Sequence, residues 1–232
     1  MGESIKRIVG PYQDSYSPNG IIGEKDACGV GFIANIKGVE SNWILKQSLK
    51  GLNCMEHRGG CGGDSDSGDG AGILCSIPWE YLEEKMNLKN TKESNRGLGM
   101  IFMPNKKEKI EECKSICEEE AKKLRINKTS WRTVPVNNEI LGPLAKANAP
   151  FISQWILFIN KKDNDDIEKI LFQLRKRIEK KVRESFKNHV GDCEFYFASL
   201  SSKTVVYKGM VRSEILSEFY KDLKEESFKV SF

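Results

Sequence analysis

Between Asp165 and Phe186 the apolar residues fall at Ile167, Ile170, Leu171, Leu174, Ile178, Val182 and Phe186, and most of what lies between them is charged. Steps of three and four residues put all seven on one stripe of a helix. Such a helix gains its stability by covering that stripe, so it has to lie on an apolar layer. A second long helix has the same design, with Ile110, Cys113, Cys117, Ala121 and Leu124 on one face and a solvated charge run elsewhere. The layer beneath them is supplied by strands. Ile73 to Ile77, Leu98 to Met103, Trp131 to Val136 and Phe151 to Ile159 carry β-branched and aromatic residues. Glu194 to Leu200 and Thr204 to Tyr207 read as a paired hairpin turning at Ser201 to Lys203. Strands come in runs as well as alternating with helices, which argues against a regular doubly wound sheet.

The remaining segments are shorter. Cys28 to Ile36 (CGVGFIANI) alternates Val30, Phe32, Ala34 and Ile36 with smaller or polar residues, the period-2 pattern of a strand. Ser41 is placed to cap a helix carrying Ile44, Leu45, Leu49, Leu52 and Met55 on one face, ended by the glycine run from Gly59. Pro78 suits the first turn of a short helix reaching about Leu88. Turn or short-helix character joins the two middle strands, and a helix over Glu214 to Leu223 precedes a strand-like Phe228 to Phe232. Residues 1–27 show no sustained period and read as an extended leader.

Thirty-seven basic against thirty-three acidic residues, spread along helices rather than gathered in a block, give no footprint for nucleic acid. No apolar run approaches the roughly 18 residues of a membrane span, and residues 1–27 have no hydrophobic centre for a secretory signal. The expected compartment is the cytoplasm or a plastid stroma. Seven cysteines, at 28, 54, 61, 75, 113, 117 and 193, are an odd number with no CxxC pair, which speaks against a disulfide framework. Cys54, Cys75, Cys113, Cys117 and Cys193 read as small buried or half-buried filler.

Two places break the pattern of a plain core. One is Cys28 with its glycines. The other is Gly59 to Gly72, where seven glycines make regular structure costly in backbone entropy and point to a close approach of backbone. A phosphate cradle lacks the GxxxxGK[ST] pattern, and Asp64, Asp66 and Asp69 would repel phosphate. Calcium would find oxygens at those three aspartates but not the final Glu of an EF-hand loop. The aspartates more simply hold the loop by turn hydrogen bonds. His57 has no matching Asp partner and reads as a structural histidine.

ACGVGFIA (27–34), followed by EHRGGCGGDSDSGDGAGI (56–73), resembles the opening of glutamate synthase large subunits. VVYKGMVRS (205–213) and EFYKDL (218–223) look like the same family, so the resemblance covers roughly residues 20–232. It implies a class II, N-terminal-nucleophile glutamine amidotransferase domain over residues 28–232, an α+β fold of four αββα layers. It also implies removal of residues 1–27, so that Cys28 becomes the first residue and its own α-amine serves as base. The thiolate would hydrolyse the side-chain amide of L-glutamine to glutamate and ammonia. Arg58 and Gly59, the Arg-Gly of the HRG-type motif, would line the glutamine pocket, and no metal is implied.

In the family a further Arg-Phe-Ser-Thr-Asn segment grips the substrate carboxylate and an Asn-Gly pair forms the oxyanion hole. Neither run occurs downstream of Cys28 here, so the expectation is a C-terminally truncated domain, inactive alone. No cofactor is expected in this segment. FMN and a [3Fe-4S] cluster are implied for the full-length enzyme, where ammonia would pass to 2-oxoglutarate for reduction. The partners implied there are the remaining synthase domains and either ferredoxin or a nicotinamide-oxidising small subunit. Two other readings stand beside this one: a non-catalytic assembly or regulatory module of the same fold, and a metal- or nucleotide-binding protein built on the Gly/Asp loop.

Overall fold

The computed structural model describes residues 29–55, 70–88, 95–159, 166–186 and 195–232. Contacts separate residues 1–30 from residues 31–232, and the elements below all belong to the second unit. They are α1 (Asn42–Cys54), β1 (Ala71–Ser76), α2 (Trp79–Lys85), β2 (Arg96–Met103), α3 (Lys107–Lys123) and β3 (Lys128–Thr133). α4 (Pro143–Ala147), β4 (Phe151–Phe158), α5 (Ile167–Ser185), β5 (Tyr196–Ser201), β6 (Thr204–Gly209) and α6 (Leu216–Phe219) follow.

The two long helices lie where their stripes require. α3 buries Ile110, Cys113, Ile116, Cys117 and Ala121, and α5 buries Leu171, Leu174, Ile178 and Val182. Both stripes join one apolar cluster with Ile101, Met103, Trp155, Leu157 and Phe197, which alternate along β2, β4 and β5. These strands belong to a four-stranded antiparallel sheet of order β3-β4-β2-β5. β4 is buried on both faces, so its apolar run is nearly continuous. Asp166 caps α5 by accepting hydrogen bonds from the amides of Glu168 and Lys169, one residue inside the start read from the sequence.

The other face of this sheet presents Leu98, Met100, Ile152 and Ile156 to a second core. Across it stands an antiparallel ribbon of β1 and β6, with Ile73 opposite Tyr207 and Cys75 opposite Val205. α1 adds Ile44 and Leu45 to this core, and α2 adds Tyr81 and Leu82. The described residues therefore stack a helix pair, a four-stranded sheet and a layer built around a two-stranded ribbon. This is a mixed α+β arrangement with antiparallel sheets, and a fourth layer is not found among the described residues.

Several sequence expectations need correction. Residues 29–40 form no strand, and Phe32 and Ile36 are exposed at 82% and 103%. β5 and β6 do not form a hairpin: β5 pairs β2 in one sheet and β6 pairs β1 in the other. The turn between them is held by Glu168, whose carboxylate accepts from Ser201 Oγ, Ser202 N and Ser202 Oγ. That grip turns the chain out of one layer and into the next. The helix expected over 214–223 is broken into α6 and two 3-10 turns, because Tyr220 is extended, bridges to Val136 and donates its hydroxyl to the Lys208 carbonyl. Phe228 to Phe232 forms no strand: it makes an isolated bridge, Val230 to Ser41, and single hydrogen bonds with Asn35 and Ser76.

Between the two sheets sits a charged group with no exposure to water. Asp222 takes a bidentate ion pair from Arg132, at 2.7 and 2.8 Å, and accepts the hydroxyls of Tyr81 at 2.9 Å and Tyr207 at 3.0 Å. Gln154 completes the set, accepting from Arg132 at 2.7 Å and donating to the Tyr207 hydroxyl at 2.9 Å. Burial, and then the Asp222 charge, holds the Tyr207 hydroxyl well above its ordinary pKa, so it stays a donor. Removing one partner leaves a buried charge uncompensated. Asp222→Ala should therefore lose about 3–5 kcal/mol in urea unfolding, against about 1–2 kcal/mol for Tyr207→Phe, which removes one neutral donor. Equal small losses for both would show that the pair is not structural.

Candidate active site

Cys28, Arg58 and Gly59 all lie outside the described residues, as do His57, Asp64, Asp66, Asp69, Cys61 and Cys193. What the structure describes is the framework from which those segments depart. The described chain breaks off at Met55, at the end of α1, whose amide donates to the Leu52 carbonyl, and resumes at Gly70, which leads into β1. α1 itself is set by Ser41, which caps it through Oγ to the Ile44 amide, as the sequence indicates. Asn42 fixes its start by donating from Nδ2 to the carbonyls of Glu225 and Phe228, both at 3.0 Å.

The segment that follows Cys28 returns to this same helix end. A methyl group built on Gly31 would stand 3.7 Å from Cε of Met55. Gly31 is three residues after Cys28, and Met55 is three residues before Arg58. Further along, the Asn35 amide donates to the Ser231 carbonyl and Ser41 exchanges two backbone bonds with Val230, which fixes the course of residues 35–41.

The returning end of the loop is held just as closely. At Gly72 a Cβ would lie 2.7 Å from Lys208 Cβ and 2.9 Å from the Tyr207 carbonyl oxygen. The glycine thus lets β1 approach β6 where the loop ends, a close backbone approach of the kind expected of the run. Gly72→Ala should push the two strands apart and cost about 1–3 kcal/mol. Gly51→Ala, in α1 with nothing within 4 Å, should instead gain about 0.5–1 kcal/mol. Thermal unfolding of both variants checks this, and equal effects would refute the close approach.

The described cysteines are free thiols with different surroundings. Cys75, Cys113 and Cys117 are buried, as expected of filler, whereas Cys54 at the end of α1 is exposed, contrary to that reading. Burial pushes the Cys75 thiol up to about 12 and Cys117 well above its ordinary value, so neither supplies a thiolate at neutral pH. Among the described residues there is no group of three or more His, Cys, Asp or Glu side chains able to hold a metal ion. None of their helices is long and apolar enough to cross a membrane. Sequence reasoning missed the Asp222 group. Its only signals were an Arg inside an apolar strand pattern at Trp131 to Val136 and an Asp inside FYKDL.

The sequence profile of the family described as "Glutamine amidotransferases class-II" matches residues 28–232, beginning at Cys28. The chain belongs to that family. Among individual proteins it is 43% identical over 226 residues to the chloroplastic ferredoxin-dependent glutamate synthase of Oryza sativa subsp. japonica, which covers 96% of this chain and 14% of the relative. It is 44% identical over 217 residues to ferredoxin-dependent glutamate synthase 1, chloroplastic/mitochondrial, of Arabidopsis thaliana, covering 91% of this chain and 13% of that protein. Ferredoxin-dependent glutamate synthase 2 of Synechocystis sp. is 42% identical over 216 residues, with 91% of this chain and 13% of the relative covered. The chain thus spans 13–14% of the length of these curated relatives.

Proposed function

We propose that the chain carries the glutamine-hydrolysing half-reaction of a glutamate synthase, with Cys28 as nucleophile once residues 1–27 are removed. The observation that carries this is the approach of Gly31 to Met55, which draws together the segments adjoining Cys28 and Arg58 in a chain whose family match begins at Cys28.

An N-terminal cysteine holds its nucleophile and base on one residue. Free thiols titrate near about 8.5 and α-amines near about 7.7–8.0, so the thiol proton can pass to the amine without help from a histidine. The thiolate attacks the side-chain amide carbon of glutamine, forming the C–S bond. The C–N bond then breaks, and the leaving nitrogen takes the proton held on the α-amine to depart as ammonia. Water hydrolyses the γ-glutamyl thioester, giving glutamate and restoring the thiol. Arg58, with Gly59 beside it in the pocket, would support the substrate by charge-assisted hydrogen bonds, and Gly29 after the nucleophile would permit its close approach.

For the whole enzyme the proposal extends to ammonia transfer onto 2-oxoglutarate, with ferredoxin as electron donor, the partner in the printed names of the relatives. FMN and an iron–sulfur cluster would supply the redox chemistry there. The printed name of the Oryza sativa relative includes "chloroplastic" and that of the Arabidopsis thaliana relative "chloroplastic/mitochondrial", which supports a plastid stroma.

In the full-length protein an electrophilic glutamine analogue should modify Cys28, located by peptide mass spectrometry. Cys28→Ala should abolish both the label and ammonia release. Modification of Cys54 or Cys75 in place of Cys28 would sink the assignment.

A further inference from the structure

The outward faces of the two long helices are sorted by charge. On α5 the exposed ridge runs Lys169, Gln173, Lys176, Lys180 and Arg183, in steps of four and three residues that keep them in one line, and no exposed acidic side chain interrupts it. On α3 the exposed ridge runs Glu108, Glu111, Glu112, Ser115 and Glu119, with no exposed cation among them. Both ridges point away from the four-stranded sheet, because the opposite stripes of both helices are buried on it. The helices lie side by side and antiparallel: Ser185 Oγ donates to Glu112 at 2.6 Å, and Arg177 Nε to Glu120 at 2.8 Å. An acidic ridge and a basic ridge thus run next to each other on one surface.

Exposed helix faces ordinarily mix the two signs, so that charges three and four residues apart satisfy each other. Here the signs are segregated, and among the described residues Lys169, Lys180, Arg183 and Glu108 have no ion-pair partner. Such a surface is complementary to itself. Two copies stacked helix pair on helix pair can be related by a two-fold axis running across the helices or along them. An axis across the helices lays α3 on α3 and α5 on α5, like charge on like. An axis along the helices lays α3 of one copy on α5 of the other, twice. The level of each residue is then set by the contacts of Glu112 with Ser185 and Glu120 with Arg177. Glu119 of one copy falls between Lys176 and Lys180 of the other, and Glu111 and Glu112 fall beside Arg183.

We propose that α3 and α5 form a self-association surface, through which two copies of the protein pair about a two-fold axis parallel to these helices. The occupant is argued from charge complementarity: the acidic ridge of a second copy answers the basic ridge at matching level. Exposed ion pairs are individually weak and screened by salt, so the pairing is reversible and salt-sensitive. Its orientation is fixed as much by the repulsion in the alternative stacking as by the attraction in this one. The inference is independent of the glutamine chemistry proposed above.

Analytical ultracentrifugation of the full-length protein tests it. A species of dimer mass should form at about 0.01 M ionic strength and disappear at about 1 M, where the screening length falls to about 3 Å. Lys180→Glu with Arg183→Glu gives the contact region of α5 a net negative charge, and Glu111→Lys with Glu119→Lys gives that of α3 a net positive one. Each double variant should sediment as a monomer at low ionic strength. Mixing the two in equal amounts should restore the dimer, because every ridge then meets one of opposite sign. A wild-type protein that stays monomeric at low ionic strength would overturn the proposal. So would a dimer that survives either charge reversal, or a mixture that remains monomeric. At about 1 M salt both variants should keep the wild-type Tm. A lower Tm there would assign these side chains to the fold of one copy and would likewise overturn the surface.

Discussion

The Arg132–Asp222 pair is the contact on which the arrangement of layers turns. Asp222 comes from the turn after α6, and its carboxylate is met by Arg132 from β3, Tyr207 from β6 and Tyr81 from α2, with Gln154 of β4 bridging Arg132 and Tyr207, so five elements are joined in one network. A buried ion pair is weak evidence for net stability, because desolvating both charges offsets most of their attraction. Its strength lies in specificity. Any slip of the β1–β6 ribbon against the four-stranded sheet would strand a charge or a hydroxyl without a partner. Aromatic packing of Tyr207 against Tyr220 and Phe228, and of Tyr81 against Phe228, surrounds the polar centre and keeps water from it.

That fixed centre bears on the candidate site through the segments attached to it. β1 and β6 are held at one register, and β1 receives the returning end of the 56–69 loop through Gly72. Residues 225–232 follow directly from Asp222. They tie down α1 through Asn42 and the 35–41 segment through Val230 and Ser231. The carboxylate is thus linked, through short runs of chain and the hydrogen bonds they make, to both segments that lead toward the proposed nucleophile and its pocket.

The sequence was most informative where a pattern has one physical solution. The stripe of α5 admits only a helix lying on an apolar layer, and the Ser41 cap marks the start of α1 within a residue. It was least informative about partners. The alternation of residues 32–36 is present in burial, with Ile33 inward and Phe32 outward, but alternation carries no information on pairing, and none of the described strands pairs with this segment. β5 and β6 were each readable as strands. Their assignment to different sheets lies in tertiary pairing, β5 on β2 and β6 on β1, and Glu168, more than thirty residues earlier, bonds to the turn between them. Tyr220 breaks a helix that local preference favours because a tertiary hydrogen bond to Lys208 outweighs it. The proposed site residues Cys28, Arg58 and Gly59 were reached only through family resemblance, since a nucleophile proposed to be N-terminal has no local spacing to betray it.

The central claim is that Cys28 works as the first residue of the mature chain. The direct measurement is the N-terminus of the full-length protein purified in active form, read by intact and peptide mass. The account predicts a mature chain beginning at Cys28, and a Cys28→Ala protein that hydrolyses no glutamine. A fully active protein that still carries Met1 to Ala27 would contradict it.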